Sequence, residues 1–214
     1  HSGVVVALLN FPLIISLSVG MSLLPKISYL SSQKDERGQR EIISKSFSIL
    51  WAVLLPLVFG IAAVAKVLYP IIYPSFIGDY LDYAVKLTYI GGISTVLTGL
   101  MQFLLALLQA KGQYLFSMFA SVFGSLVKIL LVFTLSVQNS VNIFALPLSN
   151  IFLAGSVCLF ALVKLGAQFQ VSFYDFFLVL LSCIIMFLLV GLLLNLFGNI
   201  WGLVFAVFGG GAVY

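Results

Sequence analysis

Charge is what this chain has least of. Only 7% of its 214 residues are Asp, Glu, Lys or Arg, against roughly 25% in an ordinary soluble domain. Ten are Lys or Arg and six Asp or Glu, with one His, for a formal net charge of +4. With a mean hydropathy of +1.24, such a chain is not a soluble globular protein. Disorder is excluded as well, because it needs low hydrophobicity and high charge. Two cysteines are too few to staple a secreted disulfide scaffold of this size.

Catalytic groupings are lacking too. The single His stands at position 1, and the carboxylates Asp35, Glu36, Glu41, Asp79, Asp82 and Asp175 fall in or beside polar loops. No carboxylate pair is therefore expected inside the membrane for acid/base work. No Cys or His spacing points to a metal, and no Gly-Lys-Ser/Thr loop points to ATP. Cys158 and Cys183 lie in apolar runs, as small buried hydrophobes do. The expectation is a non-enzyme with no catalytic residues, no metal, no cofactor and no nucleic-acid partner.

What the chain has is apolar runs of helix length. A bilayer core of about 30 Å needs roughly 20 apolar residues in a helix, whereas a membrane β-barrel reads as short alternating segments. The runs are Gly3–Pro25, Phe47–Pro74, Leu87–Ala110, Gln113–Val137, Val141–Val163, Phe173–Leu194 and Ile200–Tyr214. The last has 15 residues, about 22 Å of helix, which is too short to span. Asn195, Gly198 and Asn199 are turn signals separating it from the run before. The reading is an all-α polytopic membrane protein with six complete transmembrane helices and a truncated seventh. A start at His1 and an end inside an apolar run fit an internal piece of a longer protein.

The basic residues set the orientation. Lys26, Lys34, Arg37, Arg40 and Lys45 lie between the first two runs, Lys111 between the third and fourth, and Lys164 between the fifth and sixth. These loops share one side, which is expected to be cytoplasmic, leaving residue 1 outside. In the 26–46 loop the pattern Ile42, Ile43, Phe47, Leu50 after Gly38 predicts an amphipathic helix lying on the inner membrane face. Its basic residues either contact anionic lipid heads or only fix topology. Lys66, near the far end of the second run, is expected to snorkel to the outer interface beside Tyr69 and Tyr73.

Lys128 is the residue that asks for an explanation. It falls about three residues past the middle of its run, roughly 5 Å from the midplane. A lysine at that depth costs on the order of 2.5–3.5 kcal/mol on insertion scales. It either faces a cavity, where its amine holds a phosphate or carboxylate, or bonds to a neighbouring helix. Gln102 and Gln109, seven apart, share one helix face with Thr95, Thr98 and Gly99. That stripe, with Asn10 and Asn150, either lines a cavity or joins helices. Pro12, Pro56 and Pro147 inside runs predict kinked, bendable helices.

Several short motifs fall in a familiar order. Asn10-Phe-Pro-Leu-Ile-Ile is followed by Gly20-Met-Ser-Leu-Leu-Pro-Lys-Ile-Ser28 and a charged loop. Leu55-Pro-Leu-Val-Phe-Gly60, Val67-Leu-Tyr-Pro-Ile-Ile-Tyr73, Leu108-Gln-Ala-Lys-Gly112 and Gly124-Ser-Leu-Val-Lys-Ile-Leu-Leu131 come after. This resembles the multidrug/oligosaccharidyl-lipid/polysaccharide flippase superfamily, in particular the branch of stage V sporulation protein B and polysaccharide exporters, with the lipid II flippases close by. The resemblance implies the C-terminal lobe of a 14-helix transporter. Residues 1–165 would form the lobe core and 166–214 the last helices, completed by an N-terminal half outside this sequence.

It further implies alternating access that turns a polyprenyl-diphosphate-linked saccharide from the inner to the outer leaflet of the plasma membrane. The last two helices would form a groove for the lipid tail. Lys128 would meet the diphosphate, with Gln102, Gln109, Asn10 and Asn150 as further cavity candidates, and membrane lipids would be the remaining partners. Lipid II flippases typically place an arginine shortly before the proline of the first run. Here Val6-Ala-Leu-Leu-Asn-Phe-Pro12 has none, which points away from lipid II itself or to a binding charge elsewhere. A multidrug or ion-coupled exporter of the same fold, a membrane-embedded enzyme subunit and a structural anchor remain as alternatives. The first needs intramembrane carboxylates for coupling, and this sequence offers none.

Overall fold

The computed structural model describes residues 2–74, 78–137, 144–166 and 173–197. Among them every element is helical: α1 Ser2–Ser32, α2 Glu36–Ile72, α3 Asp79–Ala110, α4 Tyr114–Ser136, α5 Ala145–Leu165 and α6 Phe173–Phe197. All six are long and apolar enough to cross a bilayer. In hydrocarbon each backbone N–H and C=O must find its partner within the segment, which a helix provides. The chain is a multi-pass helical membrane protein. The expected seventh helix at 200–214, the turn at 138–142, residue 1 and the turn residues Gly198 and Asn199 lie outside the described residues.

The helices match the six apolar runs, but their ends differ: α3 starts at Asp79, ahead of Leu87, and α6 runs to Phe197 through Asn195, which was expected in a turn. α1 does not stop at Pro25; it continues to Ser32, and α2 already begins at Glu36. The 26–46 stretch is therefore a tight helical hairpin continuous with both spanning helices, not a separate helix lying on the surface. Lys34 adopts φ 56°, a left-handed turn that reverses the chain in very few residues. Asp35 follows as N-cap, its carboxylate accepting from Gly38 N at 3.0 Å, which satisfies one of the free amides at the helix start. A Cβ at Gly38 would press on the Asp35 carboxylate, so glycine leaves the cap undisturbed. Gln39 Nε2 donates to Leu30 O at 3.3 Å and ties the two helix ends together.

Pro147 also departs from expectation. It is the third residue of α5, in the first turn, where an amide has no intrahelical partner to lose, so it does not kink the helix. Pro12 and Pro56 do lie inside α1 and α2.

α3 is the central helix, with α1, α2, α4 and α5 packed around it, while α6 packs on α2. Leu9 lies beside Gly91, and Ala106 beside Gly20, so α1 and α3 run in the same direction. Leu54 against Gly99 and Val58 against Gly92 show α2 running the opposite way. Small residues let these backbones approach, the usual basis of helix association in lipid. Besides a small cluster of Met186 and Val190 on α6, two buried clusters result. One, at the end that carries Lys26–Lys45 and Lys111, is built on Ile43, Leu50, Leu54, Phe103, Leu104 and Leu108. The other, at the opposite end, joins Val5, Leu9, Ala65, Tyr69, Ala84 and Leu87. Cys158 and Cys183 are both free and buried.

Tyr69 differs from its expected interfacial role. It is 0% exposed and its hydroxyl lies 2.5 Å from Thr88 Oγ1. Thr88 donates to Ala84 O at 2.8 Å, so Tyr69 is the donor of the pair. Lys66 is exposed, as is Tyr73.

Candidate substrate cleft

A cleft of about 300 Å³ opens between α1, α3, α4 and α5, in the half of the bundle away from the basic end. Its polar lining is Asn10 from α1, Ser94, Thr95 and Thr98 from α3, Lys128 from α4 and Asn150 from α5. The α3 wall is hollow because Gly91, Ser94, Thr95 and Thr98 fall at helical spacing on one face and carry little bulk. α4 is held against α5 at Gly124, where a Cβ would stand 2.5 Å from Val157 Cγ2 and 3.4 Å from Leu153 O. Lys128 stands one turn further on, where the α3–α4 seam has opened. At the basic end that seam is closed: Gln109 Nε2 donates to Ser117 Oγ at 3.4 Å.

The polar groups of the cleft are not alike. Lys128, Asn10 and Asn150 make no hydrogen bond or ion pair with another described residue. Thr95 Oγ1 donates to Gly91 O at 2.9 Å and Thr98 Oγ1 to Ser94 O at 2.8 Å. Both threonine protons are thus spent on their own helix, and what remains is acceptor lone pairs. No carboxylate and no aromatic ring lines the cleft among the described residues. Chemically it is one cation, two amides with donors and acceptors, a serine hydroxyl and threonine acceptors, at membrane depth.

The sequence candidates divide. Lys128, Asn10 and Asn150 meet in the cleft; Gln102 and Gln109 do not line it. Gln109 joins α3 to α4, and Gln102 is half-buried with its Oε1 unbonded among the described residues. Ser94 was not singled out by the sequence, although it sits on the same α3 face as Thr95 and Thr98.

The basic loop residues Lys26, Lys34, Arg37 and Lys45 are exposed and Arg40 half-buried. Lys45 pairs with Glu41 at 2.6 Å and Arg40 with Glu36 at 3.7 Å, exposed pairs that contribute little. Lys111, on the α3–α4 turn, is held below the usual lysine range by burial, with nearby Glu36 opposing that and Arg40 adding to it. Lys164 Nζ lies 5.5 Å from the Phe116 ring centre.

On the other side of α3 lies a second concavity, about 530 Å³, bounded by α2, α3 and α6. Trp51, Phe59, Tyr89, Phe176 and Phe187 line it, with aliphatic side chains between. Trp51 and Phe176 pack edge to face at 4.9 Å, and Phe59 and Tyr89 meet Phe187 at 6.3 and 6.4 Å.

No family model and no curated protein matches the sequence. Among solved structures the chain is similar to the lipid II flippase MurJ in an inward closed conformation, with a TM-score of 0.74 at 14% identity. The superposition covers 98% of this chain and 45% of that one, so the helices described above have the fold of somewhat under half of a lipid II flippase.

Proposed function

We propose that this chain is part of a membrane flippase that turns a polyprenyl-diphosphate-linked saccharide from the inner to the outer leaflet by alternating access. The observation that carries the reading is the cleft: an uncommitted lysine about 5 Å from the midplane, facing two uncommitted amides on other helices. A desolvated ammonium with no protein partner is costly unless an anion joins it. A diphosphate head group meets that need, and the likeness to the lipid II flippase fold supports it. A multidrug exporter is a poorer fit. Cationic amphiphiles are recognised by acids and aromatic faces, and the cleft has neither among the described residues.

In this reading residues 1–165 are the core of a C-terminal lobe and 166–214 its last helices. The substrate crosses between this lobe and an N-terminal half of the same protein. The chain is not an enzyme, and membrane lipids are its other partners. The hairpin at 33–35 faces the cytoplasm and the α2–α3 turn faces outward, across the plasma membrane. A cysteine replacing Arg37 should then be shielded from a membrane-impermeant thiol reagent in whole cells, and one replacing Asp79 should be labelled. The reverse labelling pattern would overturn the topology.

The decisive experiment follows lipid-linked precursor in cells that depend on the full-length protein. On depletion, precursor is expected to vanish from the outer leaflet while it accumulates inside. Unchanged outer-leaflet appearance, with no redundant flippase present, would assign the protein to export of soluble compounds instead.

A further inference from the structure

The cleft offers more than a phosphate needs, and its polar groups differ in what they can donate. A diphosphate has acceptors and no donors at neutral pH. Lys128 supplies donors for it. Thr95 and Thr98 cannot, since each already donates to a carbonyl of α3. What they present is lone pairs, and a lone pair facing an anion is repelled. A ligand that meets Thr95 and Thr98 must bring O–H or N–H donors, whereas Ser94 on the same face makes no side-chain bond to a described residue and can donate as well. Asn10 and Asn150 can give and accept at once, which suits a group that does both. The hydroxyl and amide groups of a sugar ring fit that description.

We infer that the α3 wall of the cleft is a saccharide-reading site. Lys128 takes the anionic linkage, while Thr98, with Asn150 and Asn10, recognises hydroxyl or N-acetyl donors of the sugar next to it. Thr95 contributes less, being 4% exposed. With no aromatic ring in the described lining the sugar is gripped at its edges by hydrogen bonds, not stacked on a ring face. Thr98, Asn150 and Asn10 are then specificity-determining residues: they distinguish a sugar-bearing lipid from the same lipid without its sugar. This inference rests on the flippase reading above and adds to it which residues sense the saccharide.

The test uses the full-length protein in proteoliposomes and two probes. One is a short polyprenyl diphosphate carrying a single N-acetylhexosamine; the other is the same polyprenyl diphosphate without sugar. Thr98→Val keeps the shape of the side chain and removes its oxygen, and Asn150→Leu removes the amide at similar volume. Each is expected to raise the apparent KM for the sugar-bearing probe roughly fivefold, the worth of one neutral hydrogen bond, and to raise that for the bare probe by clearly less. Asn150→Gln is expected to restore part of the loss. Equal losses on both probes, or no loss on either, would overturn the saccharide-reading site while leaving the flippase intact. Wild-type protein that moves neither probe would overturn the flippase reading itself, and this inference with it.

Discussion

The cleft and the groove share one wall, α3, and differ in chemistry on its two sides. Toward α1, α4 and α5, α3 shows Gly91, Ser94, Thr95 and Thr98, and Lys128, Asn10 and Asn150 face them. Toward α2 and α6 it shows Tyr89, Ile93, Val96 and Leu97, opposite Trp51, Phe59, Phe176 and Phe187. Both lie at membrane depth, where burying an unpaired polar group is costly. A polar hollow is retained in such surroundings only if something polar fills it. An apolar hollow of comparable size is filled at no such cost by lipid. The proposed function therefore puts selectivity in the cleft, and the groove offers a surface for apolar chains or for helix packing.

The largest test of that difference pairs one variant from each side. Lys128→Ala is expected to abolish transport by the full-length protein while its amount in the membrane stays normal, and Lys128→Arg to keep part of it. Phe187→Ala is expected to loosen α6 from α2 and α3, lowering thermal stability in detergent while transport persists in part. If Phe187→Ala stops transport as completely as Lys128→Ala, at normal protein level, the division between the two regions fails.

A smaller effect addresses what holds the cleft open. Gly124 has no room for a Cβ against Val157 and the Leu153 carbonyl, and it fixes the rotation of α4 that turns Lys128 inward. Gly124→Val should wedge α4 from α5 and cost about 1–3 kcal/mol, the range for overpacking a tight contact. Thermal unfolding in detergent would read it. Gly155→Val, between Leu153 and Val157 on α5 but with open space at its Cβ, serves as the control. Equal stability of the two variants would remove the α4–α5 contact as the device that aims the lysine.

How much of this was legible without coordinates depends on which physical rule governs each residue. The spans were, because apolar length against bilayer thickness leaves few choices. The depth of Lys128 was, because it follows from its place in its run. The ends of α1 and α2 were not. Pro25 sits where a loop was expected, yet a proline removes one donor only, and the Lys34–Asp35 turn with the Gln39–Leu30 bond lets both helices run on past it. The Gln102–Gln109 stripe has the right periodicity for a cavity wall. At Gln109, however, α3 and α4 have already closed on each other, and a convergence of two helices is not written in the spacing of either. Ser94 was within reach, since it lies three residues after Gly91 and four before Thr98 on one face; its small size hid it among the residues that only pack. Tyr69 read as an interfacial ring because tyrosines cluster there. Its partner Thr88 lies on another helix, so the buried pair was invisible to periodicity.

That pair gives the smallest and most local test, at the end of the bundle where both hollows are bounded. Tyr69 donates to Thr88, and Thr88 donates onward to Ala84 O. Tyr69→Phe removes the interhelical bond and keeps the ring, leaving Thr88 still bonded within α3. Hydrogen bonds between membrane helices average only about 0.6 kcal/mol, because the unfolded chain in lipid also finds partners. Tyr69→Phe should therefore shift the unfolding midpoint slightly, and Thr88→Val should shift it by a similar amount. The double variant should cost little more than either single one, because both remove the same bond. Losses that simply add would mean that the two hydroxyls stabilise the bundle separately. The α2–α3 end would then rest on the apolar packing of Ala65, Ala84 and Leu87, as the groove does, and not on a hydrogen bond between helices.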